Sequence, residues 1–173
     1  MSPDPAATTP PSLPSTIGTL AAWIAAVLPP GDVAALRKLR PESSSCPAFW
    51  RLVALLEPNL PSGGPARDEA ERRWAVILQA MATLAGQHAP RTSLGRALVE
   101  ADVAEGRFVR LLRASGPGLA DALRVTAHHL GQKAIPCDQT ELAMLVLSDE
   151  RSDAEAVRRR VARNYYTQLA KES

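Results

Sequence analysis

Aromatic side chains are scarce: seven in 173 residues, or 4%. So few rings argue against a surface that grips single-stranded nucleic acid by stacking its bases. There are only two cysteines, Cys46 and Cys137, far apart and at no metal-ligand spacing. They give no disulfide framework and no cysteine zinc site, and two free buried thiols are the plain reading. No run approaches the ~18 to 20 apolar residues a membrane helix needs. No sustained strand alternation is found, and β-branched clusters are rare. The first residues contain Asp4 and no basic stretch, so no secretory leader is expected and a cytoplasmic location follows.

What the chain does have is apolar residues at helical spacing. Hydrophobic residues make up 46% of it, enough for one domain or two small lobes with a core. The segment MSPDPAATTPPSLPS (1–15) reads as a flexible, Pro-rich lead-in. Helices are then expected from about Thr16 to Leu28, from Asp32 (as N-cap) to Arg40, and from Pro47 to Glu57. A loop, PNLPSGGP (58–65), precedes a long helix over Ala66–Ala85, with Trp74, Ile77, Leu78, Met81 and Leu84 as its stripe and Gly86 beyond its end. Further helices are expected after a Ser93 cap, over 104–114, 119–130 and 140–147, and from Asp153 to Ala170. The last has Ser152 and Glu155 at capping-box spacing. The reading is all-α: eight or nine short helices in two small bundles, divided in the connector Gln87–Thr92 into lobes 16–90 and 91–173.

Signatures of catalysis are missing. Gly63-Gly64 is followed by proline rather than by the Lys-Ser/Thr of a phosphate loop, and there is no nucleophile elbow. His128 and His129 are adjacent, so on a helix they diverge by about 100° and do not chelate one ion. Asp68, Glu69, Asp153 and Glu155 fall in helix first turns, where the helix dipole already explains them. No metal site is expected.

The arginines hold more information than the net charge of +2. Seventeen of the twenty basic residues are Arg, whose planar fork grips phosphate bidentately, although a GC-rich genome produces the same bias. Residues 91–133 hold seven basic and four acidic side chains, whereas 1–90 balances seven against seven. In the 104–114 helix, Phe108, Leu111 and Leu112 form one stripe. Arg107, Arg110 and Arg113 fall on the opposite side, with no acid among them. Arg96 faces outward from the preceding helix, and Arg91 lies just upstream. Smaller groups are Arg37, Lys38 and Arg40, and Arg158, Arg159, Arg160 and Arg163, the latter preceded by acids that can pair with them. Each such cluster reads either as a solvated helix face or as a phosphate-binding one.

Several motifs, in order, point further. The segments AALRKL (34–39), PAFWRLV (47–53), SLGRALVEA (93–101), GRFVRLLRA (106–114) and RRRVARNYYTQLA (158–170) resemble the CasB family, the small subunit of the type I-E CRISPR Cascade complex. The resemblance covers roughly Leu20 to Ala170 and is looser after Ser115. It implies an all-helical protein without catalysis, metal or cofactor. It also implies two copies head to tail on the belly of a guide RNA-containing complex, between the large subunit and the backbone subunits. Their basic surfaces would help hold the target strand and the displaced non-target strand of the R-loop, with no membrane partner, while a separate helicase-nuclease cuts. Guide pairing supplies sequence specificity, so such a subunit needs only backbone contacts. The matching motifs make Arg96, Arg107, Arg110 and Arg113 the central candidates for phosphate contact. Arg37 and Lys38 follow through AALRKL, and Arg91 and Arg124 come after. Arg51 reads as either a contact or a structural ion pair. Phe49, Trp50, Trp74, Phe108 and Tyr165 are expected in the core. A helical adaptor that binds only protein is the rival reading. A transcription regulator ranks last, because no helix-turn-helix is evident.

Overall fold

The structure, a computed structural model, describes residues 10–43 and 45–172. The first nine residues of the Pro-rich lead-in expected over 1–15 lie outside the described residues. Among the described residues the fold is all-α, with nine α-helices and no strand.

Prolines that read as breaks in the sequence act here as helix starters. Helix α1 (Leu13–Ala22) begins three residues before the expected Thr16, with Pro14 in its first turn and the Ser12 hydroxyl accepting from the Ser15 N–H. A helix leaves its first N–H groups unbonded, so a residue without one fits there at no loss. The helix continues as one π-turn, Trp23–Val27, closed by the Leu28 N–H on the Trp23 carbonyl at 2.9 Å. Pro29 then holds Leu28 extended (ψ 137°) and ends it. Helix α2 (Pro30–Arg37) starts at Pro30 for the same reason, so Asp32 sits in its first turn and is not the cap the sequence suggested. It stops at Arg37, which leaves Leu39 and Arg40 beyond it.

Helices α3 (Pro47–Leu56) and α4 (Gly64–Thr83) flank the expected Pro/Gly-rich loop. After α4 the turn needs a left-handed residue, and Gly86 takes it (φ 77°). Helix α5 (Leu94–Glu100) is capped by the Ser93 hydroxyl, which accepts from the Arg96 N–H at 3.4 Å. Helix α6 (Glu105–Arg113) follows. Helix α7 (Gly116–Gln132) opens within the SGPG that reads as a break, earlier than the expected Leu119. Its first N–H is satisfied from far away, by Asp149 (2.7 Å to Gly116 N). Helices α8 (Gln139–Leu147) and α9 (Ala154–Glu172) complete the chain. Because α9 starts at Ala154, Asp153 and not Ser152 precedes it, and the Val157 N–H bonds the Asp153 carbonyl.

The stripes expected from periodicity are the ones buried. Ile77, Leu78, Met81 and Leu84 of the α4 segment are at most 1% exposed, and Trp74 is also buried. Each fully buried Leu or Ile contributes about 1.5 to 3 kcal/mol of transfer free energy. Helix α4 is central, packed on α2, α7 and α8. One contiguous apolar cluster draws on helices from both sides of the Gln87–Thr92 connector, and α1 packs on α8 across it. The connector is tied into the fold by a short parallel bridge. Ala89 N–H donates to the Cys137 carbonyl (2.9 Å), Cys137 N–H to the Gln87 carbonyl (3.1 Å) and Asp138 N–H to the Thr92 carbonyl (2.7 Å).

Both cysteines are free and buried. Burial pushes the Cys137 thiol up to about 12, helped by the nearby Asp138 and Glu141 carboxylates. No helix of the described residues is long and apolar enough to cross a membrane.

Candidate nucleic-acid interface

Helix α6 is short, and other elements hold it at both ends. Phe108, fully buried, stacks on Tyr165 of α9 with ring centroids 3.8 Å apart and planes 9° from parallel. The Tyr165 hydroxyl donates to the Val103 carbonyl (2.8 Å), just before α6, and the Tyr166 hydroxyl donates to Glu105 in its first turn (2.7 Å). In the tight α5–α6 turn, Asp102 is left-handed (φ 55°) and pairs with Lys133, whose ammonium holds its carboxyl below the usual range. The His129 ring Nε2 bonds the Ala101 carbonyl at 2.8 Å. At the other end, Arg158 donates both to the Ala114 carbonyl (3.1 Å) and to the buried Asp149 (3.0 Å). That same Asp149 caps α7.

With Phe108 and Leu111 inside, helical geometry sends Arg107, Arg110 and Arg113 outward. All three are exposed, and none has an ion pair or side-chain hydrogen bond among the described residues. They rise about 4.5 Å along the axis at each step and turn about 60° between neighbours, so they form a slanted row. Arg91 and Lys38 are also exposed and without such partners among the described residues. The four other candidates are engaged within the chain. Arg96 pairs with Glu100 (2.6 Å) along α5, and Arg124 with Asp121 (3.5 Å) along α7. Arg51 pairs with Asp32 across α3 and α2. The Arg37 Nε donates to the Ala82 carbonyl at 3.0 Å, tying α2 to α4. All four side chains still border solvent.

Most of the second arginine group proves internal. Arg158 pairs with Asp149, Arg159 with Glu155, and Arg160 approaches Glu141. Phe49, Trp74, Phe108 and Tyr165 are buried as expected, but Trp50 is not: it is 40% exposed on the outer side of α3. Ala48, Phe49, Leu52, Val53 and Leu56 already fill the inner side of that helix, so its angular position turns Trp50 out.

Two acids of structural weight escaped sequence reading. Asp149 gathers α4, α7 and α9, since its backbone carbonyl also accepts from Arg73 at 3.1 Å. Glu141 caps α5 by accepting the Leu94 N–H at 2.6 Å, and burial pushes its carboxyl up despite that bond and Arg160. Only their burial would have flagged them, and burial is not local information.

A family model described as CRISPR-associated protein Cse2 matches residues 32–166, which spans α2 to α8 and most of α9. Among solved structures, the fold is similar to that described as the crystal structure of CasB from Thermobifida fusca. The TM-score is 0.64 with 21% sequence identity, covering 88% of this chain and 94% of that one. No curated protein matches the chain significantly.

Proposed function

The chain belongs to the CRISPR-associated protein Cse2 family, the CasB subunits of Cascade, and from that premise we propose that it is the belly subunit that steadies the R-loop. In this reading its arginine faces bind the phosphates of the target strand and of the displaced strand without reading bases. Two copies sit head to tail beside the guide RNA-bearing backbone and the large subunit, in the cytoplasm, and the chain itself breaks no bond.

The observation that carries the reading is the α6 row. Arg107, Arg110 and Arg113 share one exposed face, and none has a carboxylate partner among the described residues. Three like charges at i, i+3 and i+6 repel one another, so a bound anion stabilises the row. Arg91 and Lys38 extend the set of available cations. Arg96, Arg37, Arg51 and Arg124 serve as secondary contacts, because each must share or exchange an existing partner.

The test is Arg107→Ala with Arg110→Ala in the assembled complex. The expected result is normal assembly, faster loss of bound target, and a salt dependence shallower by just under one unit per lost phosphate contact. Unchanged target retention would refute these sites. Four of the nine candidate cations are held within the chain, and that observation favours the second reading, a protein-only adaptor. Titration of the isolated chain with single- and double-stranded DNA at low and moderate salt separates the two. Sequence-independent binding that weakens steeply with salt supports strand binding, and no binding at any salt supports the adaptor.

A further inference from the structure

On another side of the molecule, where α3 meets α4, a cleft of about 300 Å³ is lined by Pro41, Glu42, Trp50, Asp68, Glu71 and Arg72, among others. Trp50 is one of the few large apolar side chains left exposed among the described residues. Glu71 is occupied by Arg67 at 2.6 Å, and Arg72 by Glu69 at 3.1 Å. Glu42 and Asp68 have no ion pair among the described residues. A neighbouring cleft of about 380 Å³ shares Pro41, Glu42 and Arg72, but its other carboxylates are paired, Glu69 and Glu150 with Arg73, Asp121 with Arg124 and Asp149 with Arg158. No residue of α6 lines either cleft.

An indole face beside uncompensated carboxylates repels phosphate and attracts a guanidinium or ammonium group. We propose that this cleft is a protein-docking site, occupied by an arginine- or lysine-bearing segment of a neighbouring Cascade protein, with its cation over Trp50 and against Glu42 and Asp68. The inference rests on the reading of the chain as a Cascade subunit. It deepens that reading, because the acidic cleft takes a protein neighbour while the separate α6 row stays open to nucleic acid.

The experiment uses the full chain in the reconstituted complex. A benzophenone amino acid at Ser43, which lines the cleft, is photo-crosslinked and the product mapped. Separately, Glu42→Lys with Asp68→Lys, and Trp50→Ala, compete with labelled wild-type chain for places in the complex. A crosslink to a Lys- or Arg-bearing segment of another protein subunit, with retention about tenfold weaker for each variant and unchanged thermal midpoints, supports the proposal. A crosslink to nucleic acid or to a second copy of the chain, or no crosslink, overturns it. Retention of the variants equal to wild type overturns it as well, even if a destabilised variant is set aside and judged by the crosslink alone. A wild-type chain that never joins the complex overturns the Cascade reading itself, which distinguishes the two failures.

Discussion

Helix α5 approaches α9 so closely at Gly95 that a single added methyl measures the contact. A Cβ there would lie 2.5 Å from the Tyr165 nitrogen and from the Val161 carbonyl oxygen, and 2.9 Å from the Asn164 Cβ. The first two are backbone atoms of α9, which cannot swing aside as a flexible side chain would. Ordinary contact begins near 3.4 Å, so the helices must separate by about 0.9 Å. Overpacking of this kind costs about 1 to 3 kcal/mol, and alanine returns up to about 1 kcal/mol in helix propensity. With two immovable backbone atoms at 2.5 Å the upper end of that cost applies, about 3 kcal/mol, and the net loss for Gly95→Ala is about 2 kcal/mol. For a chain of this length that lowers the thermal midpoint by about 4 to 8 °C. Gly106→Ala in α6 is the control, because a Cβ there meets nothing within 4 Å. It should raise the midpoint by about 2 to 4 °C. Paired thermal and urea melts of the two variants give opposite signs from one chemical change. A Gly95→Ala chain that melts at or above wild type would refute the packing argument.

Asp149→Ala removes the α7 cap and strands Arg158, so a loss of about 2 to 4 kcal/mol is expected in urea denaturation, with Asp149→Asn milder. Glu141 keeps its proton to higher pH in the folded chain than in the unfolded one. Its contribution favours folding below the ordinary glutamate value of 4.5 and is lost as pH rises through the raised folded value. The stability of wild type minus that of Glu141→Gln should accordingly fall across this window, and a flat difference would count against the buried-carboxylate argument. In a Cys46→Ser background, Cys137 should stay unlabelled by a thiol reagent at pH 8 until the chain unfolds, and rapid native labelling would contradict its burial.

The helices and their buried faces were legible because periodicity is local: Phe108 and Leu111 face inward for the same reason that Arg107 and Arg110 face out. Helix starts were misjudged where proline or glycine reads as punctuation. Pro14 and Pro30 instead occupy first turns, and Gly116 is rescued by Asp149, 33 residues away. The candidate site divides along the same line. That Arg107, Arg110 and Arg113 are exposed follows from their own helix. The pairing of Arg51 with Asp32, 19 residues earlier and on a different helix, could not be read from spacing. Trp50 shows the limit of residue-type reasoning, because a tryptophan on an amphipathic helix goes where its angle sends it. Gly95 reads as one letter of a motif, and its packing role emerges only when α9 lies against it.

The bridge between Gln87–Thr92 and Cys137–Asp138 sets the two ends of the intervening stretch side by side. That stretch includes Arg91, Arg96, Arg107, Arg110, Arg113 and Arg124. The most cationic third of the chain thus departs and returns through a single doorway, like a cassette seated in a frame. Its ends are thereby fixed together while α7 on α4 and α5 on α9 seat its middle, so a change of length there must keep both seats and leave α5 a residue without a side chain facing α9.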